Sequence, residues 1–191
     1  MAILNEQELA AMGFASVGRG VRVSDRASFH GPSRIHLGDN VRIDDFCVLS
    51  AGKGGIRLGS HIHVAVYSCM LGAGSITLGD FSNISSRVSI YSSSDDYSGA
   101  TMTNPTVPEN YKNVDHRDVY IGRHVVIGSG SVVLPGAILE DGVAVGALSM
   151  MRGRCPAFGI YAGVPARRIR ERSRDLLDVE QRFRLEHVAG A

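Results

Sequence analysis

The chain has 191 residues, with 20 basic and 19 acidic side chains and a formal net charge of +1. This balance gives no long-range attraction to nucleic acid or to an anionic membrane surface, so neither is predicted as a partner. Aromatic residues make up only 6% and tryptophan is absent. Because aliphatic residues are nevertheless abundant, the composition favours a core of uniform stacked layers.

The N-terminal segment, residues 1–14, predicts a short helix. Asn5 is followed three residues later by Glu8, which is a capping-box arrangement, and Gly13 marks the helix end. The segment lacks the basic start and the continuous apolar run of a signal peptide. No stretch approaches the roughly 20 apolar residues that span a bilayer. We therefore expect a cytoplasmic protein.

A six-residue period occupies residues 15–91 and 120–156. Its longest unbroken run comprises Ile121, Ile127, Val133, Leu139, Val145 and Met151. A period of six fits neither an amphipathic helix nor a hairpin sheet. It fits a short strand plus a tight turn, three of which close a coil of about 18 residues, so the fold class predicted is an all-β parallel β-helix. Glycines after the aliphatic residue, such as Gly38, are expected at corners that need a positive φ or a close approach.

Two segments leave the period. Residues 92–119 are rich in Ser, Asp, Asn, Gly and Pro, which predicts a loop extruded from the coils. A loop of this length in a compact domain is usually functional or disordered. Residues 157–191 predict a tail and an amphipathic C-terminal helix with Leu176 and Phe183 on its apolar face. That helix is expected to cap or brace the open end of a single 1–191 domain.

Several segments along the chain carry a family resemblance. IGRHVVIGSGSVVLPGAILEDGVAVGALSMM and GIYAGVPARRIRER resemble the C-terminal coils and tail of hexapeptide-repeat acyltransferases. VRIDDFCVLS, DFSNISSRVSIY, SSDDYSG and NPTVPENYKNV resemble, more narrowly, nucleotide-linked amino-sugar N-acyltransferases such as those acting on dTDP-4-amino-4,6-dideoxyglucose. The resemblance implies a left-handed coil, acetyl-CoA or another acyl-CoA as co-substrate, and a homotrimer with its sites between subunits.

The acceptor chemistry selects the catalytic candidates. Hydroxyl-acylating relatives use a loop histidine as base, whereas the early loop here reads SSSDDYSG. An attacking amine becomes strongly acidic as its C–N bond forms, so a carboxylate can accept the proton. Asp95 is the predicted base, and Ser85 is predicted to hold the amine, both as in the resembling family. His63 is a third catalytic candidate, and His116 becomes one if the loop folds back. Turn formation is the structural alternative for the Asp and Ser residues.

Substrate binding is predicted for a charged cluster and its neighbours, namely Arg42, Asp44, Asp45, Arg87, Asp96 and Tyr97. Arg42 is assigned to a diphosphate, and the carboxylates Asp44 and Asp45 to hydroxyl groups of the sugar or to the base. The alternative is a solvated corner with a local Arg–Asp pair that contributes little.

Coenzyme A is expected along the later coils and the tail. The cofactor-binding candidates are Ser129, Ala147, Ser149, Pro165, Arg167 and Arg168. The first three would line a groove for the pantetheine arm, the two arginines would meet the adenosine phosphates, and Pro165 would fix the turn before them. The three cysteines and seven histidines show no ligand spacing, so no metal site is predicted.

Three functions fit this sequence. The first is an N-acyltransferase that transfers an acyl group from coenzyme A to a nucleotide-linked amino-deoxy sugar. The second is an O-acetyltransferase for a sugar or surface-polysaccharide precursor. The third is a non-catalytic β-helix scaffold, because a fold does not by itself fix a function.

Overall fold

The computed structural model describes residues 2–188, with side chains through Glu186, so residues 189–191 of the predicted tail lie outside it. Two α-helices flank the strands, α1 (Glu6–Ala11) and α2 (Leu176–Val188), and 3-10 turns cover Pro32–Arg34 and Glu109–Tyr111. The strands in chain order are β1 (Ser16–Val17), β2 (Arg22–Val23), β3 (Ser28–His30), β4 (Ile35–Leu37), β5 (Arg42–Ile43), β6 (Val48–Ala51), β7 (Ile56–Leu58), β8 (His63–Val64), β9 (Cys69–Gly72), β10 (Ile76–Leu78), β11 (Asn83–Ile84), β12 (Ser89–Tyr91), β13 (Ser93–Ser94), β14 (Asp115–His116), β15 (Val119–Ile121), β16 (Val126–Ile127), β17 (Val132–Val133), β18 (Ile138–Leu139), β19 (Ala144–Val145), β20 (Met150–Met151), β21 (Arg154–Cys155), β22 (Gly159–Gly163) and β23 (Ala166–Glu171).

Three sheets form the sides of a parallel β-helix of about seven coils. The first sheet stacks β1, β4, β7, β10, β15, β18 and β21; the second stacks β2, β5, β8, β11, β16, β19, β22 and β23. The third stacks β3, β6, β9, β12, β17 and β20. Every strand in these sheets pairs parallel except β22 with β23. The predicted fold class is confirmed.

The core is the column of inward-facing residues in each sheet. In the second sheet, Val23, Ile43, Val64, Ile84 and Ile127 are all fully buried. Equivalent residues stack directly on one another, as in the pairs Ile43 with Val64 and Ile84 with Ile127. A six-residue period therefore predicts burial because each strand contributes one inward side chain to a shared column.

The repeat glycines serve close approach. A Cβ on Gly38 would lie 2.6 Å from the carbonyl carbon of Gly59 in the next coil, so a side chain cannot fit. The positive φ angles occur two residues later, at Asn40 (55°) and His61 (57°). Gly38 is therefore explained by close approach between coils, whereas the positive φ angles fall on other residues of the corner.

The N-terminal helix forms with its predicted cap. The Glu8 backbone N–H donates to Asn5 Oδ1 at 3.0 Å, and the Asn5 backbone N–H donates to Glu8 Oε2 at 2.8 Å. The helix is confined to Glu6–Ala11, and its Leu9 is buried against the first coils. A capping box can be read from sequence because all of its atoms lie within four residues.

The extruded loop leaves after β12 and returns at β15. Its two ends pair as an antiparallel ribbon, with Ser93 opposite His116 and Ser94 opposite Asp115. The next coil begins at Val119, which is buried, one residue before the predicted restart. The ribbon places the base of the loop beside the third sheet.

The coils also continue beyond the predicted limit of residue 156. Tyr161 in β22 pairs parallel with Val145 and takes an inward, buried position. The chain then reverses and β23 adds antiparallel to β22. The sequence repeat misses this strand because tyrosine replaces the aliphatic residue.

Helix α2 lies along the side of the β-helix, so the expectation that it covers the open end is wrong. The corner between the first and second sheets carries parallel rings of His61, Phe81 and His124, with centroids 4.9 and 5.0 Å apart. Phe183 of α2 packs edge-on against His61 and Phe81. This flat aromatic surface attracts the apolar face of α2, and it forms only when three coils align.

Candidate active site

The outer surface of the second sheet carries a column of polar side chains. Arg22, Arg42, His63 and Asn83 occupy equivalent positions on β2, β5, β8 and β11 and pair in register. Beyond β11 the same positions hold Val126, Ala144 and Ile160. The outer surface is therefore polar over its N-terminal coils and apolar over its C-terminal coils.

Asp44 links two members of this column. Arg42 Nε donates to Asp44 Oδ1 at 2.7 Å, and His63 Nε2 lies 2.8 Å from Asp44 Oδ2. Burial alone would raise the pKa of Asp44, but the hydrogen bonds from His63 and Arg42 outweigh it and lower the pKa. Both carboxylate oxygens are occupied, so the geometry gives Asp44 a positioning role instead of the predicted contact with substrate.

Ser85 follows β11 on the same sheet. No hydrogen bond to its hydroxyl is present among the described residues, while its carbonyl accepts from the Ser68 hydroxyl at 2.9 Å. Its position after the inward Ile84 matches that of Asp44 after Ile43. Ser85, His63 and Asp44 therefore share one outer surface, with the Ser85 hydroxyl available to a ligand.

Two further substrate-binding candidates lie at the corner between the second and third sheets. Asp45 accepts a hydrogen bond from the Ser24 hydroxyl and has Arg26 at 4.0 Å. Arg87 is exposed, and its guanidinium lies 5.8 Å from the centre of the Tyr67 ring. Both side chains have local partners, which is the solvated-corner alternative, and Arg87 remains open to solvent.

Asp95 lies in the loop, beside the third sheet. It lines a depression of about 490 Å³ with Tyr91, Ser93, Ser94, Tyr97, Val132, Leu134 and Pro135. The Asp95 side chain is exposed and makes no hydrogen bond or ion pair among the described residues. Tyr97 is 92% exposed. A free carboxylate and an uncovered aromatic ring at the mouth of a depression are both available for binding.

Asp96 differs from its neighbour. Its carboxylate accepts the Ser98 backbone N–H at 2.8 Å and the Thr101 hydroxyl at 2.9 Å. The hydrogen bonds from Ser98, together with that from Thr101, lower the pKa of Asp96. Both oxygens thus hold the loop, which gives Asp96 the turn-forming role that was the alternative to substrate binding.

His116 is brought to the base of the loop, a proximity that the sequence made conditional on folding back. Its Nδ1 lies 2.7 Å from the Ser93 hydroxyl. The ribbon of β13 and β14 places it two residues along from Asp95 on the opposite strand. Only the pairing of loop ends 23 residues apart creates this neighbourhood.

The predicted catalytic residues fall on two sides of the molecule. Ser85 and His63 lie on the second sheet, whereas Asp95 lies in the loop after β12, beside the third sheet. Neither Ser85 nor His63 lines the depression that contains Asp95. A single chain therefore does not bring the three together.

The coenzyme A candidates on the later coils differ in exposure. Ser129 and Ala147 are exposed at neighbouring corners on the later coils, and the Ser86 hydroxyl donates to Ser129 at 3.2 Å. Ser149 is 2% exposed, and its hydroxyl donates to the Gly146 carbonyl at 2.8 Å and accepts from the Gly163 N–H at 3.1 Å. The Ser149 side chain stabilises the coil and does not face a groove, contrary to the expectation.

The predicted phosphate-binding residues lie in the hairpin of β22 and β23. Pro165 is in its turn, after a cis peptide bond with Val164. Arg167 and Arg168 follow on β23 and are exposed, with Arg168 paired to Glu171. The hairpin thus carries two cations beside the last coils of the second sheet.

The thiols have no catalytic setting. Cys47 and Cys155 are buried and Cys69 is half-buried. Burial raises the pKa of the Cys47 thiol to about 11, which opposes thiolate formation.

Among residues 2–186, no three His, Cys, Asp or Glu side chains converge as they would around a metal ion. None of the helices in that part of the chain has the length and apolarity needed to cross a membrane.

Sequence reasoning missed Arg22 and Asn83. Both immediately precede an inward residue, the position that Arg42 and His63 also occupy. Comparing this phase of the repeat across coils would have revealed all four members of the column.

Comparisons with known proteins agree with this architecture. No family model matches the chain. A dTDP-4-amino-4,6-dideoxy-D-glucose acyltransferase of Escherichia coli is 54% identical over 184 residues, covering 96% of both chains. AntD, an N-acyltransferase from Bacillus cereus solved with dTDP and 3-hydroxybutyryl-CoA, superposes with a TM-score of 0.92 at 41% identity, covering 98% of both chains.

A further structure of AntD, a serine variant in complex with dTDP-4-amino-4,6-dideoxyglucose and coenzyme A, superposes with a TM-score of 0.90 at 40% identity, covering 96% of this chain and 97% of that one. The coils and these relatives define the protein as an acyltransferase of the hexapeptide-repeat, β-helix class. Within that class, the chain belongs to the family of nucleotide amino-sugar N-acyltransferases.

Proposed function

We propose that this protein transfers an acyl group from coenzyme A to the amino group of a nucleotide-linked amino-deoxy sugar of the dTDP-4-amino-4,6-dideoxyglucose type. The observation that carries the proposal is the 54% identity, over nearly the whole of both chains, to the relative named for that substrate. The AntD complexes with dTDP or the amino sugar nucleotide and with coenzyme A or its acyl derivative support the same pair of substrates.

The proposed reaction is direct attack. The amine nitrogen adds to the thioester carbonyl, which gives a tetrahedral adduct with an oxyanion and an ammonium group. Asp95 accepts a proton from the nitrogen, the C–S bond breaks, and the thiolate of coenzyme A leaves and is then protonated. Ser85 holds the amine through its hydroxyl, which has no partner within the described chain. No acyl-enzyme forms, because the thioester is already activated.

Coenzyme A is proposed to lie along the apolar C-terminal half of the second sheet. Ser129 and Ala147 are exposed there, and Arg167 and Arg168 supply cations for the adenosine phosphates. The nucleotide sugar then enters from the polar N-terminal half, and the two meet near Ser85. We propose that the reaction takes place in the cytoplasm, because three free cysteines suit a reducing compartment.

Thiol release from acetyl-CoA tests the acceptor. We expect turnover with dTDP-4-amino-4,6-dideoxyglucose and none with the corresponding nucleotide sugar that has a hydroxyl in place of the amine. Turnover confined to the hydroxyl sugar would replace this function with the O-acetyltransferase alternative, with His116 as its base. Absence of turnover with any nucleotide sugar would favour a scaffold.

We further propose a homotrimer with its active sites between subunits. The argument is that Ser85 and Asp95 lie on different sides of one chain, whereas a neighbour's loop can bring its Asp95 to the second sheet. A closed ring of three identical subunits would form three such sites.

Mixing inactive variants tests this arrangement. Ser85→Ala and Asp95→Asn chains, each expected to be nearly inactive, are unfolded together and refolded at equal ratio. Random trimers then contain about one quarter of sites with both native residues, so about a quarter of wild-type activity should return. Activity is measured as thiol release, and the trimer by light scattering. A mixture as inactive as its components would show that one chain supplies both residues.

A further inference from the structure

The polar column on the second sheet spans four coils. Arg22, Arg42 and His63, together with Asn40, line a depression of about 470 Å³. Neighbouring parallel strands are about 4.8 Å apart, so each step along the column moves a ligand by that distance. The coil of Ser85 and the coil of Arg42 are two steps apart, about 10 Å along the stack, which is comparable to a pyranose ring with its anomeric phosphate.

The cations of this column are available to a ligand. Arg22 is exposed, and its guanidinium makes no hydrogen bond or ion pair among the described residues. Arg42 uses only its Nε in the bond to Asp44, which leaves its terminal nitrogens free. Asp44 also fixes His63 at 2.8 Å. One carboxylate therefore orients two basic groups without consuming the donors of Arg22.

On the C-terminal half of the sheet, the strands next to β11 carry no cation at the equivalent outer positions, and Arg167 and Arg168 lie on β23, four strands away. Val126, Ala144 and Ile160 occupy the equivalent positions on β16, β19 and β22. Arg42 on β5 and Arg22 on β2 are two and three strands from β11, so they are nearer to Ser85 than the arginines of β23. An anionic group close to the reactive end of a ligand at Ser85 is therefore attracted toward β5 and β2.

We propose that Arg42 and Arg22 together bind the diphosphate of the nucleotide sugar, so that the nucleotide points toward the N-terminal coils. This inference rests on the proposed function and adds Arg22 as a second phosphate-binding residue. Guanidinium groups suit the role because they bind phosphate oxygens in a bidentate manner. Asp44 is then a positioning residue that acts through Arg42.

Calorimetric titration of the intact protein with dTDP and with thymidine tests the inference. Arg22→Ala is the decisive variant because the Arg22 side chain has no partner among residues 2–186, and Arg42→Ala is measured beside it. We expect both variants to bind dTDP at least about tenfold more weakly, with thymidine binding unchanged. Arg22→Lys, which keeps the charge, should recover part of the affinity.

Arg57→Ala is the matched control. Arg57 is an exposed arginine on the first sheet, and its side chain donates to the Gly54 carbonyl at 3.3 Å. Its variant should bind dTDP as the wild type does. Unchanged dTDP affinity in Arg22→Ala would overturn the inference. Turnover of the amino sugar nucleotide by the wild type would still support the proposed function. Conversely, selective loss of dTDP binding in a protein that acylates no amino sugar would preserve the phosphate site and reject the proposed function.

Discussion

Replacing Asp95 by asparagine is expected to lower kcat for the amino sugar nucleotide by about a thousandfold, the usual range for a lost general base. Asparagine keeps the size and the carbonyl oxygen of aspartate but cannot accept the proton from the tetrahedral adduct. Because the Asp95 side chain has no partner in the described part of the chain, the loop should keep its conformation. The measurement is initial-rate thiol release at saturating acyl-CoA, with circular dichroism as a check on folding.

Two neighbours serve as controls for Asp95. Asp96→Asn alters a carboxylate that already accepts from Ser98 and Thr101, so we expect a loss below about tenfold, through loop geometry. His116→Asn removes a ring that contacts Ser93, with a similarly small effect. If His116→Asn abolished turnover while Asp95→Asn did not, the base would be the histidine, as in hydroxyl-acylating relatives.

Replacing Glu180 by alanine is expected to destabilise the protein by about 2 kcal/mol, because it removes a buried carboxylate that receives charge-assisted hydrogen bonds from Arg123 and Arg184. Glu180 is 8% exposed. It accepts from Arg123 at 2.5 Å, from Arg184 at 2.6 Å and lies 2.6 Å from His124 Nε2. The carboxylate thereby ties α2 to the corner. A thermal melt should show Tm lowered by about 6 °C, and hydrogen exchange in α2 should accelerate.

The Glu180 contacts also make the stability of the protein fall at acid pH. Burial alone would raise the pKa of Glu180, but hydrogen bonds from His124 and Arg184 and the charge of Arg123 lower it from 4.5 to about 2. A depressed folded-state pKa means that the unfolded chain binds the proton first. The contribution is therefore complete above about pH 4.5 and is lost as the pH falls toward 2. Glu180→Ala should flatten the dependence of Tm on pH in this window.

Asp115→Ala is the matched control for Glu180. Asp115 also pairs with a cation, Arg117 at 2.8 Å, but its side chain is 50% exposed and that of Arg117 is 65% exposed. A solvated pair contributes only about 0–1 kcal/mol, so Tm should barely change. Equal effects of the two substitutions would contradict the conclusion that the buried Glu180 carboxylate holds α2 against the corner.

The period and the local caps were readable from the sequence. Ile121, Ile127 and Val133 predict three inward positions because each strand is short and returns to the core after six residues. The Asn5 and Glu8 cap forms within four residues. The loop was equally visible, since its composition cannot continue the repeat. Such features depend on interactions between near neighbours in the chain, so a linear pattern suffices.

Contacts between coils were not readable in this way. Asp44 meets His63 across 19 residues, and Glu180 meets Arg123 across 57. Corner insertions make the coils unequal, so Leu37 pairs with Leu58, but Leu78 pairs with Ile121 across the loop. A residue's partner therefore depends on the summed lengths of the intervening corners.

The sequence by itself determined the β-helix, the extruded loop and the class of chemistry that Asp95 and Ser85 suggest. Only the tertiary structure decided that these two residues lie on different sides of the chain, that Ser149 faces inward and that α2 lies along an aromatic corner. The reason is physical. A period fixes which side chains enter the core, whereas the stacking of coils fixes which outer side chains become neighbours.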